Sequence, residues 1–243
     1  MTTTDLLSDL KSLANSFLHF LYPAHCPGCG QEMPANQGVI CWRCAAQLPF
    51  TQYEKTAGNP VLAELAGRVP VQFASAMLFY KKQGIVQNLL HALKYNGHAE
   101  TGIFLGRVAG ERLRASAAFR PPDFLVPVPL HPEKERKRGY NQSLCIATGI
   151  GYSFPETEIA GNLLKKPAVS ESQTRKNRTS RWENVKTAFC LSETALKEAR
   201  FQGRHFLLVD DVFTTGATAE SCVRQLLRID KAKVSVVTIA TPA

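Results

Sequence analysis

Two adjacent acids and a threonine-rich turn are the residues in this sequence whose types and spacing are most specific for chemistry. Asp210 and Asp211 follow the apolar run Leu207-Leu208-Val209, and a helical pattern resumes after Thr218. Such a run predicts a parallel strand that is buried on both faces and leads through a tight turn into a helix. Because ligands of open α/β sheets bind at the carboxyl ends of strands, we interpret this turn as a binding site.

The composition of the turn suits a phosphate group. Its residues are Thr214, Thr215, Gly216, Ala217 and Thr218. Threonine hydroxyls donate hydrogen bonds, a glycine lets the backbone approach an anion, and the start of a helix supplies free N–H groups. The Gly-Lys-Ser/Thr of a Walker loop is missing. Asp210 and Asp211 would repel a phosphate but can accept hydrogen bonds from a diol or help hold Mg²⁺, so the stretch predicts a ribose 5-phosphate site. The alternative is that the two acids only cap the helix.

Four of the seven cysteines form two CxxC pairs, namely Cys26, Cys29, Cys41 and Cys44. Two such pairs, separated by eleven residues, can place four thiolates tetrahedrally around one Zn²⁺. With four protein ligands the metal would be structural. A redox pair or an iron–sulfur site is the alternative, and His25 is a possible substitute ligand. Clustered cysteines, odd in total number, favour metal binding in a reducing compartment over a disulfide framework.

Length and charge bound the remaining possibilities. The 243 residues suffice for one α/β core with a small appendage. A formal net charge of +9 indicates acidic partners, and both a polyphosphate substrate and nucleic acid satisfy that description. No segment approaches eighteen consecutive apolar residues, and the N-terminal stretch lacks a basic region, so we expect no membrane span and a cytoplasmic location.

We divide the chain into three parts. Residues 1–50 would hold an N-terminal helix and a zinc ribbon, residues 51–70 a connector, and residues 71–243 an α/β domain. The helix is predicted over residues 6–21 from its amphipathic spacing. Packing against the next element is favoured over association with a membrane surface, because its polar face is nearly devoid of Lys and Arg.

Apolar periodicity predicts the elements that must position these residues. Strands are expected at residues 71–80, 124–126, 187–191, 206–212 and 234–240, with an edge or hood strand at 159–164. Helices are expected at residues 61–66, 85–94 and 101–115 and again after residue 142. The cationic stretch at 131–142 is assigned to a loop, and residues 165–184 to a long polar loop that is either functional or only a solvated basic segment.

Taken together, the motifs resemble those of the ComF family, phosphoribosyltransferase-like proteins associated with bacterial DNA uptake. Val-Asp-Asp followed by Thr-Thr-Gly-x-Thr is similar to the motif with which type I phosphoribosyltransferases bind phosphoribosyl diphosphate (PRPP). The further cues, in chain order, are the four-cysteine ribbon, Leu93-Lys94-Tyr95, the Val-Pro-Val-Pro-Leu-His-Pro run at 126–132, Arg138-Gly139-Tyr140-Asn141-Gln142, and Gln173-Thr174 with Arg181, Glu183, Asn184 and Val185.

The resemblance implies an α/β fold of the type I phosphoribosyltransferase kind, with a five-stranded parallel sheet flanked by helices, a hood and a small N-terminal zinc ribbon. PRPP with Mg²⁺ would bind at Asp210, Asp211 and the threonine turn. Its diphosphate would contact Lys134, Arg136 and Arg138. The 165–184 segment would resemble the flexible lid of these enzymes, with the candidate cations Arg175, Lys176, Arg178 and Arg181, and Arg181 is assigned to catalysis together with the two acids.

Two functions are consistent with these observations. The first is a phosphoribosyltransferase that binds PRPP or another ribose 5-phosphate ligand. The second is a non-catalytic, nucleotide-sensing adaptor that handles single-stranded DNA or contacts DNA-uptake motor proteins. Only Tyr140 and Trp182 lie among the basic runs, so few aromatic rings are present on which the bases of a single strand could stack. A glutamine-dependent amidotransferase is disfavoured, because the initiator methionine precedes Thr2 and not a nucleophilic cysteine.

Overall fold

A computed structural model describes residues 23–34, 38–167, 189–192 and 195–243. The strands are β1 (Phe73–Tyr80), β2 (Phe124–Pro127), β3 (Glu158–Ile159), β4 (Leu164–Lys165), β5 (Cys190–Leu191), β6 (His205–Val212) and β7 (Lys233–Pro242). The helices are α1 (Trp42–Ala46), α2 (Pro60–Ala66), α3 (Ile85–Tyr95), α4 (Ala99–Arg114), α5 (Pro132–Arg138), α6 (Gln142–Gly151) and α7 (Ala217–Leu226). The helix predicted at 6–21 lies outside these residues. Within the described ranges, no helix is long and apolar enough to cross a membrane.

Five strands form one parallel sheet in the order β1-β7-β6-β2-β3, which confirms the predicted fold class. Alternate residues of the central strand β6 enter two different hydrophobic clusters. Leu207 and Val209 pack with residues of α3, α4 and α6, whereas Phe206 and Leu208 pack with residues of α2 and α7. Burial on both faces explains why β6 has an unbroken apolar run. All carboxyl ends of the sheet therefore lie along one edge, where the candidate site is expected.

Three predicted elements require correction. Of the strand predicted at 187–191, residues 190–191 pair antiparallel with β4 in a separate two-stranded sheet and do not join the main sheet. The run predicted at 159–164 divides between β3, at the edge of the main sheet, and β4. The stretch after Leu130 contains helix α5 where a loop was expected. Pro132 begins this helix, where its missing N–H costs nothing, and Gly139 ends it with φ 85°.

Helices α4 and α6 approach each other closely through glycines. A Cβ atom on Gly106 would overlap the carbonyl oxygen of Ile146, and one on Gly149 would overlap that of Ile103. Because neither position has room for a side chain, the two backbones pack directly against each other. This contact sets the position of α6, which carries a serine into the candidate site.

The zinc ribbon and the connector are packed onto the α/β domain. Met33 and Ile40 of the ribbon belong to the same hydrophobic cluster as Leu89 of α3, and the Asn88 amide donates to the Gly28 carbonyl oxygen (2.8 Å). In the connector, the fully buried Glu54 forms an ion pair with Arg112 of α4. A buried carboxylate needs such a partner. The ribbon is thus joined to α3 directly and to α4 through the connector.

Candidate functional site

The threonine turn adopts a conformation that suits an anion. Gly216 has φ 71°, in the left-handed region, and a Cβ atom there would lie 2.9 Å from Cζ of Phe213. Thr214, Thr215 and Thr218 are exposed, and Gly216, which precedes α7, has no side chain that could cap the helix. Arg68, which follows α2, donates to the Thr215 carbonyl oxygen (2.8 Å) and so holds the turn from outside. The N–H groups in the first turn of a helix have no partner within the helix itself, so this turn suits a phosphate.

The acidic pair lies at the carboxyl end of β6, where two helices meet it. Asp210 Oδ1 accepts hydrogen bonds from the Ser143 hydroxyl of α6 (3.0 Å) and from the Asp211 N–H (2.9 Å). Asp211 Oδ2 lies 2.5 Å from Nζ of Lys94, in the last turn of α3. The acids are therefore engaged with α3 and α6, which argues against the alternative that they serve only as helix caps.

Electrostatics make Asp210 an unusual carboxyl group. Burial, and after it the charge of Asp211, raise its pKa to about 7, although the N–H of Asp211, the Ser143 hydroxyl and Lys94 act in the opposite direction. A cation or a hydroxyl donor that approaches such a carboxylate stabilises its charged form. The pair is thus suited to a ligand that brings a metal ion or a diol.

A cationic cleft of about 290 Å³ adjoins the acidic pair. It is lined by Lys94, Tyr95, Gly97, Lys134, Lys137 and Arg138. Positions 134, 137 and 138 share one face of α5, because residues three and four apart are neighbours on a helix. Arg136, the other predicted diphosphate ligand, is not among the lining residues. Lys94 lines this cleft and contacts Asp211, so this one side chain joins the cleft to the acidic pair.

The motif Arg138-Gly139-Tyr140-Asn141-Gln142 holds this arrangement in place. The Tyr140 hydroxyl donates to the carbonyl oxygen of Leu93 (2.5 Å), next to Lys94. Asn141 Oδ1 accepts from the Ser143 N–H (2.9 Å), and its amide nitrogen donates to the Val128 carbonyl oxygen (3.0 Å). Tyr140 and Asn141 therefore fix α3, α6 and the end of β2 relative to one another.

Three residues that this site uses, Lys94, Lys137 and Ser143, were not among the predicted ligands. Lys94 enters only as part of the Leu93-Lys94-Tyr95 motif and Lys137 only as one of several cations after Leu130, because lysines near helix ends are common at protein surfaces. Ser143 carried no signal, because a single serine at the start of a helix is common. The predicted lid cations Arg175, Lys176, Arg178 and Arg181 lie outside the described residues.

The two CxxC pairs form a four-cysteine cluster, as predicted. The four Sγ atoms all lie within 4.8 Å of one another, and those of Cys29 and Cys41 are 3.8 Å apart. A tetrahedron with Zn–S bonds of about 2.3 Å has S···S edges of about 3.8 Å, so the cluster has the size that Zn²⁺ requires. Cys26, Cys41 and Cys44 are buried, whereas Cys29 is exposed. The chain therefore has a structural zinc site, and His25 is not part of the cluster.

The surroundings of these thiols favour bound metal. Burial raises the pKa of Cys26, but N–H groups of Cys41, Cys29 and Gly28 outweigh burial and bring it to about 7. Burial and the neighbouring cysteines raise the pKa of Cys44. Four crowded thiolates repel one another, and a divalent cation removes that repulsion.

We expect purified protein to contain one Zn²⁺ per chain. Cys44→Ala should lose the metal and disorder the ribbon while the parallel sheet remains folded, because metal binding and ribbon folding are coupled. Elemental analysis and far-ultraviolet circular dichroism measure the two effects. Cys190→Ala, in the small sheet, should keep its zinc. Metal-free protein with four freely titrating ribbon thiols would contradict the assignment.

Comparisons with known proteins agree with this architecture. The model of the double zinc ribbon domain matches residues 17–59. DNA utilization protein YhgH of Salmonella typhimurium is 32% identical over 218 residues, which cover 87% of this chain and 81% of the relative. Competence protein F of Haemophilus influenzae is 24% identical over 220 residues, 87% of each chain. Competence protein ComFC of Bacillus subtilis is 33% identical over 108 residues, 44% of this chain and 40% of the relative. With these relatives and its N-terminal zinc ribbon, the chain belongs to the ComF family.

Proposed function

We propose that this protein binds PRPP with Mg²⁺ at the carboxyl edge of its sheet and transfers or recognises the ribose 5-phosphate group. The observation that carries the proposal is that three features lie together at that edge: the threonine turn, the acidic pair that precedes it in the chain, and the cationic cleft, which Lys94 joins to Asp211. Each matches one part of PRPP in charge and hydrogen-bonding capacity. The names of its relatives refer to DNA utilization and competence, and we extend that role to this chain.

The turn and the acids would hold the ribose 5-phosphate. The 5-phosphate would lie against the threonine hydroxyls and the N–H groups at the start of α7. The ribose diol would donate hydrogen bonds to Asp210 and Asp211, which are acceptors when ionised. Ser143 orients Asp210 through its hydrogen bond. These residues would position the ring, and positioning supplies much of the catalysis in group transfer.

The cationic cleft would hold the diphosphate. Lys134, Lys137 and Arg138 line the cleft together with Lys94, so several donors can share the charge of a departing diphosphate. The carboxylates of the acidic pair are ligands that suit Mg²⁺, and the ion would neutralise part of the diphosphate charge. Arg136 does not line the cleft, so we assign it only a contribution to the positive electrostatic potential around the cleft.

A second cleft, of about 740 Å³, is our candidate for the acceptor. It lies between the end of β2, β3 and the small sheet of β4 and β5. Its apolar lining includes Leu130, Leu144 and Ile159, and Asn162 adds an amide. An apolar cleft with a few polar groups is typical of a small-molecule site and would suit a planar base.

The adaptor hypothesis is favoured by one separate observation. Trp42, at the start of α1 in the ribbon, is 64% exposed, and the Arg43 guanidinium lies 5.4 Å from its ring centroid. An exposed aromatic ring beside a cation can stack on a base of single-stranded nucleic acid. The two hypotheses are separated by turnover: PRPP consumption with diphosphate release indicates an enzyme, and PRPP binding without turnover indicates an adaptor.

Replacing Lys134 and Arg138 together by Ala should weaken PRPP binding at least tenfold more than ribose 5-phosphate binding, since two charge-assisted contacts of roughly 1.5 kcal/mol or more act on the diphosphate alone. Calorimetric titration with each ligand in the presence of Mg²⁺ measures the difference. Arg136→Ala is the matched control, because it removes a charge from the same helix but not from the cleft lining. Equal losses of affinity for the two ligands would assign these cations to general electrostatic attraction. If the parent protein does not bind PRPP, the proposed function is wrong.

A further inference from the structure

We propose that Lys94 is an internal competitor for divalent metal at Asp211, which keeps free metal out of the acidic pair until an anionic ligand draws the lysine away. The competition is a property of the ion pair itself. Its link to PRPP rests on the proposed function.

The geometry of the ion pair carries the first step. Lys94 Nζ lies 2.5 Å from Asp211 Oδ2, the Asp211 side chain is only 9% exposed, and the Lys94 side chain is 27% exposed. Mg²⁺ binds carboxylate oxygens at about 2.0–2.1 Å, so a metal on this oxygen would share a nearly enclosed space with the ammonium group. Two cations that close repel strongly where water is scarce. Binding of free metal therefore requires that Lys94 leave.

The cleft provides a place for Lys94 to go. The same side chain lines the cationic cleft with Lys134, Lys137 and Arg138. Without a bound anion, these three cations repel the Lys94 ammonium group. A diphosphate in the cleft would reverse this balance and attract the ammonium group. Lysine has a flexible four-carbon stem with three rotatable donors, so the head can move while the backbone stays in place. Tyr140 holds that backbone through its hydrogen bond to the Leu93 carbonyl oxygen.

The consequence is selectivity for a metal that arrives with its anion. Two adjacent carboxylates without a counter-ion would attract free divalent cations. With Lys94 in place, the acids are already partly neutralised, and only a ligand that offers Lys94 a new partner exchanges one cation for the other. A merely structural tether between α3 and β6 would give no such exchange.

Lys94→Met tests the inference, because methionine keeps a long unbranched side chain and removes the charge. We expect the zinc-loaded, full-length variant to bind free Mn²⁺ roughly tenfold more tightly than the parent, measured by electron paramagnetic resonance, since the competing cation is gone. Lys94→Arg should stay close to the parent. Lys134→Met is the matched control: it removes a charge from the same cleft but not from Asp211, and should change Mn²⁺ affinity much less. Adding Asp211→Asn to Lys94→Met should abolish the gain.

The same variant should bind PRPP with Mg²⁺ more weakly, because the diphosphate loses one cation. Opposite changes for metal and for PRPP are the signature of the exchange, whereas a structural role would weaken both. Unchanged or weaker Mn²⁺ binding in Lys94→Met overturns the inference even if PRPP still binds, and the proposed function then survives. Tighter Mn²⁺ binding in a protein whose parent form does not bind PRPP supports the competition and overturns the proposed function.

Discussion

Replacing Asp210 and Asp211 together by Asn is expected to weaken PRPP·Mg²⁺ binding by roughly one to four orders of magnitude, at about 1.5–3 kcal/mol for each charged hydrogen bond lost. Asparagine keeps the shape of the side chain but removes its charge and half of its acceptor capacity. The effect should be large because both acids lie at the carboxyl end of the central strand, where the proposed ribose diol and metal meet. Calorimetric titration with PRPP and Mg²⁺ measures it.

The fold should survive this change. An asparagine at position 210 could still accept the hydrogen bonds from Ser143 and from the N–H of residue 211 through its amide oxygen. Asp123→Asn is a matched control, because Asp123 contacts the opposite end of the same strand, where its Oδ2 accepts from the His205 N–H (2.8 Å). It should leave PRPP affinity near that of the parent. If the double variant binds PRPP·Mg²⁺ as tightly as the parent does, the acidic pair is not the ligand site.

Gly106→Ala is expected to lower the free energy of unfolding by about 3 kcal/mol or more, at the upper end of what overpacking costs. The added Cβ atom would overlap the carbonyl oxygen of Ile146, which is backbone and cannot rotate away. Helix α6 would have to shift, and with it Ser143, so the acidic pair would lose its orienting hydroxyl. Urea denaturation monitored by circular dichroism gives the stability change.

A glycine at the end of α6 provides the control for this prediction. A Cβ atom on Gly151 would meet its nearest neighbours, Cδ1 of Leu125 and of Ile159, at 3.8 and 3.9 Å, which is ordinary contact. Gly151→Ala should therefore be neutral, or stabilising by up to about 1 kcal/mol, because alanine lowers the conformational entropy of the unfolded chain. Similar stabilities for Gly106→Ala and Gly151→Ala would show that the α4–α6 interface is looser than described.

Local patterns in the sequence were sufficient for the features whose chemistry lies within a short stretch. The strand, turn and helix around Asp210–Thr218 follow from a buried apolar run, one glycine and a resumed helical period. The four-cysteine cluster follows from spacing alone, because each CxxC pair already places two sulfur atoms on one turn. Helix α5 also has local signals, Pro132 at its start and Gly139 after its end, but the prolines that end the preceding strand led to a loop assignment.

Only the tertiary structure decided which distant residues meet. Lys94 and Asp211 come together because α3 packs beside the central strand, and Ser143 reaches Asp210 across 67 residues because glycines let α6 lie close to α4. Strands β3, β4 and β5 have two residues each, too few to show a period, so their separate pairing was not predictable from apolar alternation. Apolar periodicity indicates which face of an element is buried. Which residue becomes the partner of a buried or charged group depends on the strand order of the sheet and on how the helices pack against it.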